Sequence, residues 1–186
     1  MFARTERLLL RPGWIEDAAA LHRAIADEAV VRNLATAPWP YRRRDAVAFL
    51  SRERTPADAS ALVFLRTGPG AELIGGVGFG RMPDGRRELG YWLKREHWGR
   101  GYATEAARAL VAAARDSLRL RRLEAGHFID NPASGRVLEK LGFRPTGEIV
   151  PRFSLARGEA APCREMVLAL GESEEEDAPC AAAMAA

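Results

Sequence analysis

The spacing of hydrophobic and polar residues divides the chain into strand-like and helix-like segments. Runs or alternations of Val, Ile, Leu and aromatic residues are typical of strands, whereas apolar residues that recur every three or four positions are typical of amphipathic helices. Strands are predicted at 6–12, 61–67, 72–82, 86–94, 121–129 and 163–170. Helices are predicted at 15–34 (one helix and a short second one), 44–54, 103–118 and 131–143.

This order of elements predicts a mixed α/β (α+β) fold class. The turn sequences at 68–70 and 83–85 separate the three middle strands, as they do in antiparallel hairpins. Later strands alternate with helices, so at least one crossover connection is needed. The 186 residues are enough for one domain with a sizeable core. We therefore expect a single, largely antiparallel sheet of six to seven strands flanked by helices.

A glycine-rich turn is the strongest chemical signal. The segment HWGRGYATE (97–105) places Gly99 and Gly101 directly before a predicted helix. Glycine adopts backbone angles closed to other residues and lets a ligand approach the main chain. The first N–H groups of a helix lack internal acceptors, so such a turn is suited to phosphate or pyrophosphate. Arg95 and Arg100 add positive charge beside it.

Two common phosphate-binding motifs do not fit this turn. A P-loop requires Gly-Lys followed by Ser or Thr, and that sequence does not occur in the chain. The dinucleotide fingerprint requires a third glycine where Thr104 stands, and it belongs to a parallel βαβ unit rather than behind antiparallel strands. The turn alone therefore leaves the identity of its phosphate ligand open.

The charge of the chain is unevenly distributed. Its 28 basic and 25 acidic residues give a net charge of +3, but five acidic residues lie in 171–177. Residues 171–186 contain no Lys or Arg, so residues 1–170 carry a net charge of +8. This excess favours a polyanionic ligand such as a nucleotide cofactor, RNA or a ribosome surface, although a general preference for arginine gives the same bias. Residues 171–186, acidic and then alanine-rich, are predicted to be a disordered tail.

Cysteine and histidine placement predicts neither a structural disulfide nor a metal site. Cys163 and Cys180 lie far apart, and the three histidines form no cluster in sequence. We interpret His22 and His127 as structural and His97 as an exposed loop residue. No apolar segment approaches the roughly 20 residues that span a bilayer, and arginines interrupt the apolar start of the chain. These features predict a cytoplasmic protein without a membrane partner.

Two longer motifs carry a resemblance to a known family. The segments ELGYWLKREHWGRGYATEAARALV (88–111) and NPASGRVLEKLGFRPTGE (131–148) resemble the GNAT superfamily of acetyl-CoA-dependent N-acetyltransferases. TERLLL (5–10) resembles the first strand of its RimJ/RimL-like branch, the ribosomal-protein N-terminal acetyltransferases. The resemblance covers residues 5–170. Trp98 departs from the Gln or Arg that much of the superfamily has at the head of the turn, but tryptophan is familiar there in this branch.

The resemblance implies a GNAT fold that splays at its central strands, with acetyl-CoA as cosubstrate and no metal. The strand at 88–93 would pair its backbone with the pantetheine arm, and the amides of residues 98–104 would hold the pyrophosphate. The cofactor-binding residues implied in this way are Leu93, Trp98, Gly99, Arg100, Gly101, Tyr102, Ala103, Thr104 and Asn131.

Two residues are candidates for the chemistry. Attack on a thioester needs a neutral amine, so a general base is useful, and the leaving thiolate needs a proton. Glu88 matches an acidic position of the branch and is the candidate base; a solvated hairpin residue is the alternative. Ser134 forms with Asn131 an N-x-x-S pattern and is the candidate proton donor; an ordinary polar residue in the first helical turn is the alternative.

The resemblance also implies where the acceptor enters. Trp39 and Tyr41 match the acceptor entrance of the family, and Tyr91 lines the cleft; these three are candidate substrate-binding residues, with packing alone as the alternative. The resulting hypothesis is direct acetyl transfer to a primary amine, either a protein N-terminal α-amine or a small-molecule amine. A non-catalytic acyl-CoA sensor is the alternative, and an RNA-binding protein is a third class for which no motif occurs. The glycine-rich strand or the last strand could form a homodimer.

Overall fold

The computed structural model describes residues 2–53, 58–66, 70–82 and 84–171. Its strands are β1 (Ala3–Arg4), β2 (Leu8–Arg11), β3 (Ala59–Leu65), β4 (Glu72–Arg81), β5 (Arg87–Leu93), β6 (Arg122–Phe128), β7 (Arg144–Ser154) and β8 (Glu159–Ala169). Its helices are α1 (Ala18–Ile25), α2 (Glu28–Val31), α3 (Arg43–Leu50), α4 (Tyr102–Asp116) and α5 (Pro132–Lys140). Short 3-10 turns lie at Ile15–Asp17 and Arg95–His97. None of the described helices is long and apolar enough to cross a bilayer. The tail predicted at 171–186 lies, from residue 172 onward, outside the described residues.

The eight strands form one sheet in the order β1-β2-β3-β4-β5-β6-β8-β7. The β5–β6 pair is parallel, and every other adjacent pair is antiparallel. The predicted α+β class and largely antiparallel sheet are therefore confirmed. The count of six to seven strands is corrected to eight, because β1 has only two residues and because Pro145, Gly147 and Pro151 interrupt the strand pattern of β7.

The sheet opens between its two central strands. β5 and β6 pair only at Glu88 with Glu124 and at Leu89 with Ala125. Beyond these two pairs β5 continues to Leu93, and β6 continues along β8 as far as Phe128. The sheet therefore splays into a gap at the centre, as the resemblance implied.

Helices cover both faces of the sheet, and each face has its own core. α4 and α5 pack on one face, where Leu89 and Leu93 of β5 are buried. α1, α2 and α3 pack on the other face, where Trp92 of β5 contacts the core. Because successive side chains of a strand point to opposite faces, odd-numbered residues of β5 face α4 and even-numbered residues face the α1–α3 side.

The glycines of β4 make room for its neighbours. A Cβ atom on Gly76 would lie 2.6 Å from Nε1 of Trp92, and one on Gly78 would lie 2.9 Å from the carbonyl oxygen of Ala59. The β3–β4 register also shifts between Val63 and Phe64, which marks a bulge. Both reasons that a strand has for tolerating glycines, a bulge and a close neighbour, are thus present here.

Candidate active site

The turn before α4 has the backbone geometry of an anion site. Gly99 and Gly101 have φ angles of 74° and 82°, in the left-handed region that favours glycine. Gly101 caps α4 without a side-chain hydrogen bond. Among the described residues, no backbone amide from Gly99 to Thr104 donates to a backbone carbonyl. These amides are free for a ligand, and the positive end of the helix dipole favours an anionic one.

Trp98 takes a different part in the turn from the one implied by the resemblance. Its backbone N–H donates to the carbonyl oxygen of Arg95 at 3.1 Å, and its indole Nε1 donates to the carbonyl oxygen of Leu93 at 2.8 Å. The indole ring is 43% exposed. In this conformation Trp98 fixes the end of β5 relative to the turn, and its own amide is already used.

A clamp from the start of the chain holds the turn and α4 together. Arg7 donates to the carbonyl oxygen of Arg100 at 3.1 Å, and its guanidinium pairs with Glu105 at 2.6 Å and lies 4.5 Å above the ring of Tyr102. Thr5 donates to the same Glu105 carboxylate at 2.5 Å. An open cavity of about 340 Å³ adjoins this clamp, lined by Glu6, Arg7, Gly101, Thr104, Glu105, Arg108 and Lys140. Three basic side chains therefore surround the space next to the free amides.

Alternate backbone groups of β5 face the gap. The N–H of Lys94 donates to Ile74 on β4, so in the antiparallel pattern Trp92 and Gly90 also direct their backbone groups toward β4. The backbone groups of Tyr91 and Leu93 then point the other way, toward the gap. An extended ligand in the gap can pair with them as another strand would.

On the α4 side of the gap, Tyr91 joins β5 to α5. Its hydroxyl lies 2.8 Å from Oγ of Ser134 and 3.0 Å from the carbonyl oxygen of Ser134. The side-chain oxygen of Asn131 accepts from the Ser134 N–H at 3.3 Å, which caps α5 as predicted. Burial raises the pKa of Tyr91 to about 12, although the Ser134 hydrogen bond opposes the shift. Tyr91 therefore stays protonated at neutral pH and can donate to Ser134 Oγ.

On the opposite face, Glu88 is held by an arginine from the edge of the sheet. Its Oε1 accepts a short hydrogen bond from Arg152 of β7. The Glu88 side chain is 18% exposed, so it is not the solvated residue of the alternative interpretation. Arg152 also lies 3.6 Å from Glu165 of β8. Glu88 and Ser134 thus lie on opposite faces of the sheet, on either side of the gap.

The hairpin of β7 and β8 is fastened to the loop that leads from α2 to α3. Ser154 donates through Oγ to the carbonyl oxygen of Leu34 at 2.9 Å. The N–H of Leu155 donates to the carbonyl oxygen of Ala35, also at 2.9 Å. Arg157, in the turn of the hairpin, forms a two-pronged ion pair with Asp130 at 2.8 and 2.9 Å. These contacts fix the hairpin to the α2–α3 loop and to the segment before α5.

The two aromatic residues predicted in the acceptor loop differ in exposure. Tyr41 is 7% exposed and belongs to the core of α1 and α3, where burial raises its pKa to about 12. Its carbonyl oxygen lies 3.2 Å from Nε2 of His22, which agrees with a structural role for that histidine. Burial favours the packing alternative for Tyr41. Trp39 is 39% exposed, and its role at the acceptor entrance stays a prediction.

The prediction that His97 is an exposed loop residue was wrong. His97 is 5% exposed and lies in a group with Glu72 and Glu96 whose ligand-type atoms fall within 4.8 Å of one another. Sequence spacing did not reveal this group, because Glu72 lies at the start of β4, far away along the chain. The ammonium of Lys94 pairs with both carboxylates, with Glu72 at 2.9 Å. The lysine thus gives both acids a positive partner within the protein.

Sequence reasoning also missed Arg152, Arg7 and the contact between Tyr91 and Ser134. Along β7, Arg152 lies two residues from Val150 and two from Ser154, on the same, more buried side of the strand. A charged residue in phase with the buried side of a strand is a usable signal, but it requires β7 to be predicted first. The partners of Arg7 and Tyr91 lie about 98 and 43 residues away, and no local pattern reports such distances.

Comparison with known proteins agrees with this geometry. The acetyltransferase (GNAT) domain family matches residues 7–144. The chain is 33% identical over 160 residues to the uncharacterized N-acetyltransferase p20 of Bacillus licheniformis, a match that covers 83% of the chain and 88% of the relative. It is 38% identical over 74 residues to the ribosomal-protein-serine acetyltransferase of Escherichia coli strain K12, which covers 39% of the chain and 41% of the relative.

A solved structure shares the fold. The RimL ribosomal L7/L12 α-N-protein acetyltransferase, determined in complex with coenzyme A, superposes with a TM-score of 0.76. The match covers 91% of this chain and 98% of that one, at 18% sequence identity. At this identity the likeness establishes the fold and not the substrate.

Proposed function

Because this chain belongs to the GNAT acetyltransferase family, it is an acyltransferase, and we propose that it moves the acetyl group of acetyl-CoA directly to a primary amine. The gap between β5 and β6 is the observation that carries the proposal. It exposes unpaired backbone groups beside an anion-binding turn, with a carboxylate on one face and a hydroxyl on the other. The proposal takes residues 1–170 as the catalytic domain, to which residues 171–186 are appended.

Acetyl-CoA binding would use backbone groups more than side chains. The free amides from Gly99 to Thr104 would bind the pyrophosphate, and those of Tyr91 and Leu93 would pair with the amides of the pantetheine arm. Asn131 and Ser134 of α5 border the same gap. The cavity beside Arg7 is lined by three basic and two acidic side chains, and its net charge of +1 supports an anionic ligand.

The proposed reaction is direct and needs no acyl-enzyme. The acceptor nitrogen attacks the thioester carbonyl, a C–N bond forms and the C–S bond breaks. The proton of the amine passes to Glu88, directly or through water. The thiolate takes a proton from Oγ of Ser134, and the Tyr91 hydroxyl, 2.8 Å away, can return a proton to that oxygen. Solvent then gives a proton back to Tyr91 and takes the one held by Glu88, which restores both groups for the next turnover. Base and acid act from opposite faces, so the two proton transfers do not compete for one position.

The acceptor we favour is the α-amine of a protein N-terminus. The name of the Escherichia coli relative, a ribosomal-protein-serine acetyltransferase, supports this choice for the present chain. An α-amine has a pKa near 8, against about 10.4 for lysine. A larger fraction of an α-amine is therefore neutral at physiological pH, and less help from a base is needed.

Thermal unfolding with acetyl-CoA, CoA, NAD and ATP in parallel tests the cosubstrate. A ligand present at 100 times its Kd adds about 2.7 kcal/mol to the free energy of unfolding. We expect stabilisation by acetyl-CoA and CoA only. A protein that responds to neither CoA species would contradict the proposal.

Release of the CoA thiol then tests the acceptor. The panel contains a peptide with a free N-terminal serine, the same peptide with a blocked N-terminus and one internal lysine, and spermine. We expect release with the first peptide and little with the second. Transfer to spermine alone would assign a small-molecule acceptor, and CoA binding without release by any amine would favour the sensor.

A further inference from the structure

Resting on the proposed acetyl transfer, we propose that Arg152 is a positioning residue that acts through Glu88. Its guanidinium holds one carboxylate oxygen of Glu88 and leaves the other oxygen for the proton of the acceptor amine. Arg152 touches neither substrate in this role. Its effect is to fix the direction in which the base points.

The reach of Arg152 across the sheet is unusual. β7 is three strands away from β5 in the order of the sheet. With neighbouring strands about 4.8 Å apart, a flat sheet would separate them by about 14 Å, too far for one arginine and one glutamate to meet. The β7–β8 register shifts between Pro145 and Ile149, and such irregularities bend a strand. The outer hairpin therefore curls over the face of the sheet that carries Glu88.

The surroundings of Arg152 hold its guanidinium in place. Glu88 and Glu165 contact it from two strands, and its side chain is only 22% exposed. A Cβ atom on Gly126 of β6 would lie 3.3 Å from Cζ of Arg152, so the guanidinium passes closely over a strand that has no side chain there. Burial alone would lower the pKa of Arg152, but the charge and hydrogen bond of Glu88 outweigh burial and raise it. Arg152 is thus a permanent, anchored cation.

This arrangement makes the two oxygens of Glu88 unequal. Oε1 accepts from Arg152, whereas no hydrogen bond from the described part of the chain reaches Oε2. The position beside Glu88 is bare, because Gly80 is its register partner on β4 and a Cβ atom on Gly80 would have no neighbour within 4 Å. The cavity that Glu88 lines together with Arg152 and Glu165 has a volume of about 10 Å³, enough for one bridging water. Without Arg152 the carboxylate would lose its cation and would be free to rotate.

A double-mutant cycle tests the inference, with release of the CoA thiol to the peptide with a free N-terminal serine as the measurement. We expect Arg152→Ala to lower kcat about tenfold, less than the roughly 10²–10⁴-fold of a general base itself because Glu88 is still present, and to change the KM of acetyl-CoA less than about twofold. Arg152→Lys should recover part of the loss, since a single charge still reaches Oε1. The variant with both Glu88→Gln and Arg152→Ala should be no slower than Glu88→Gln alone, because residues that act as a unit are not additive.

Other outcomes separate the possible failures. If the two single losses multiply in the double variant, or if Arg152→Ala raises the KM of acetyl-CoA, Arg152 does not act through Glu88 and the inference is overturned. If the wild-type protein releases no CoA thiol with any amine, the proposed function fails first. Arg115→Ala, which breaks an exposed pair with Asp116, is the matched control and should leave kcat unchanged. Arg152→Gln replaces Arg152→Ala in the cycle if the alanine variant does not unfold cooperatively.

Discussion

At the scale of single residues, the backbone of the turn before α4 requires a glycine at position 101. Its φ angle of 82° is costly for any residue with a Cβ atom, by about 1–2 kcal/mol. A Cβ atom would approach only Nη2 of Arg7, at an ordinary contact distance of 3.5 Å. The need for glycine at this position thus comes from the backbone conformation and not from lack of space.

Gly101→Ala should therefore weaken acetyl-CoA binding, since the chain relieves its strain by changing the direction of the free amides. We expect a several-fold rise in the Kd of acetyl-CoA by calorimetry, together with a loss of about 1 kcal/mol in the free energy of unfolding. Gly80→Ala is the matched control, because Gly80 has open space and no positive φ angle. Equal Kd values for the two variants would show that the turn does not hold the phosphates.

Ser134 can be tested separately from the base. Ser134→Ala removes the hydroxyl that lies next to Tyr91 but keeps the N–H that Asn131 caps. We expect kcat to fall about tenfold while the Kd of acetyl-CoA stays within twofold. Tyr91→Phe should have the same direction and a smaller effect, because the serine keeps its own proton. A Ser134→Ala variant with wild-type kcat would remove Ser134 from the reaction.

At the scale of elements, the clamp on α4 couples the stability of the helix to pH. Burial raises the pKa of Glu105, but hydrogen bonds from Thr5 and Arg7 outweigh burial and the pKa is lowered. A carboxyl whose folded pKa is below its unfolded pKa of about 4.3 stabilises the fold at higher pH. This contribution is lost as the pH falls through the folded value.

Glu105→Gln should therefore lower the Tm at pH 7, by an amount equivalent to about 1–3 kcal/mol, and the difference from wild type should shrink below about pH 4. Thermal unfolding between pH 3 and pH 8 measures both quantities. Asp116→Asn on the same helix is the control, since its pair with Arg115 is exposed and such pairs contribute little. A difference that stays constant down to pH 3 would mean that the Glu105 charge is not the stabilising group.

At the scale of the whole molecule, sequence patterns predicted the elements and the turn but not the contacts between distant parts of the chain. Gly101 and Asn131 were predictable because caps and turns depend on a few neighbouring residues. The burial of His97 was not, because it depends on the packing of the start of β4 against the turn. Arg152 was hidden for a related reason: its role depends on the curl of the outer hairpin, and the prolines of β7 conceal the strand itself.

The same hairpin joins parts of the molecule that are far apart along the chain. Its fastening through Ser154 and Arg157 ties the edge of the sheet to α2 and to the loop before α5. The hairpin is therefore held by residues 32–34, near the start of the described chain, and by Asp130, which lies in its last third.

The short parallel contact between β5 and β6 also bears on association with other chains. Unpaired strand edges commonly recruit a strand from a neighbouring molecule and so promote aggregation. Here two such edges lie inside the sheet, converge at Glu88 and Glu124, and can be reached along the strands only from the end at which the turn before α4 begins. We therefore expect this gap to admit a slender, extended molecule more readily than the edge of another sheet.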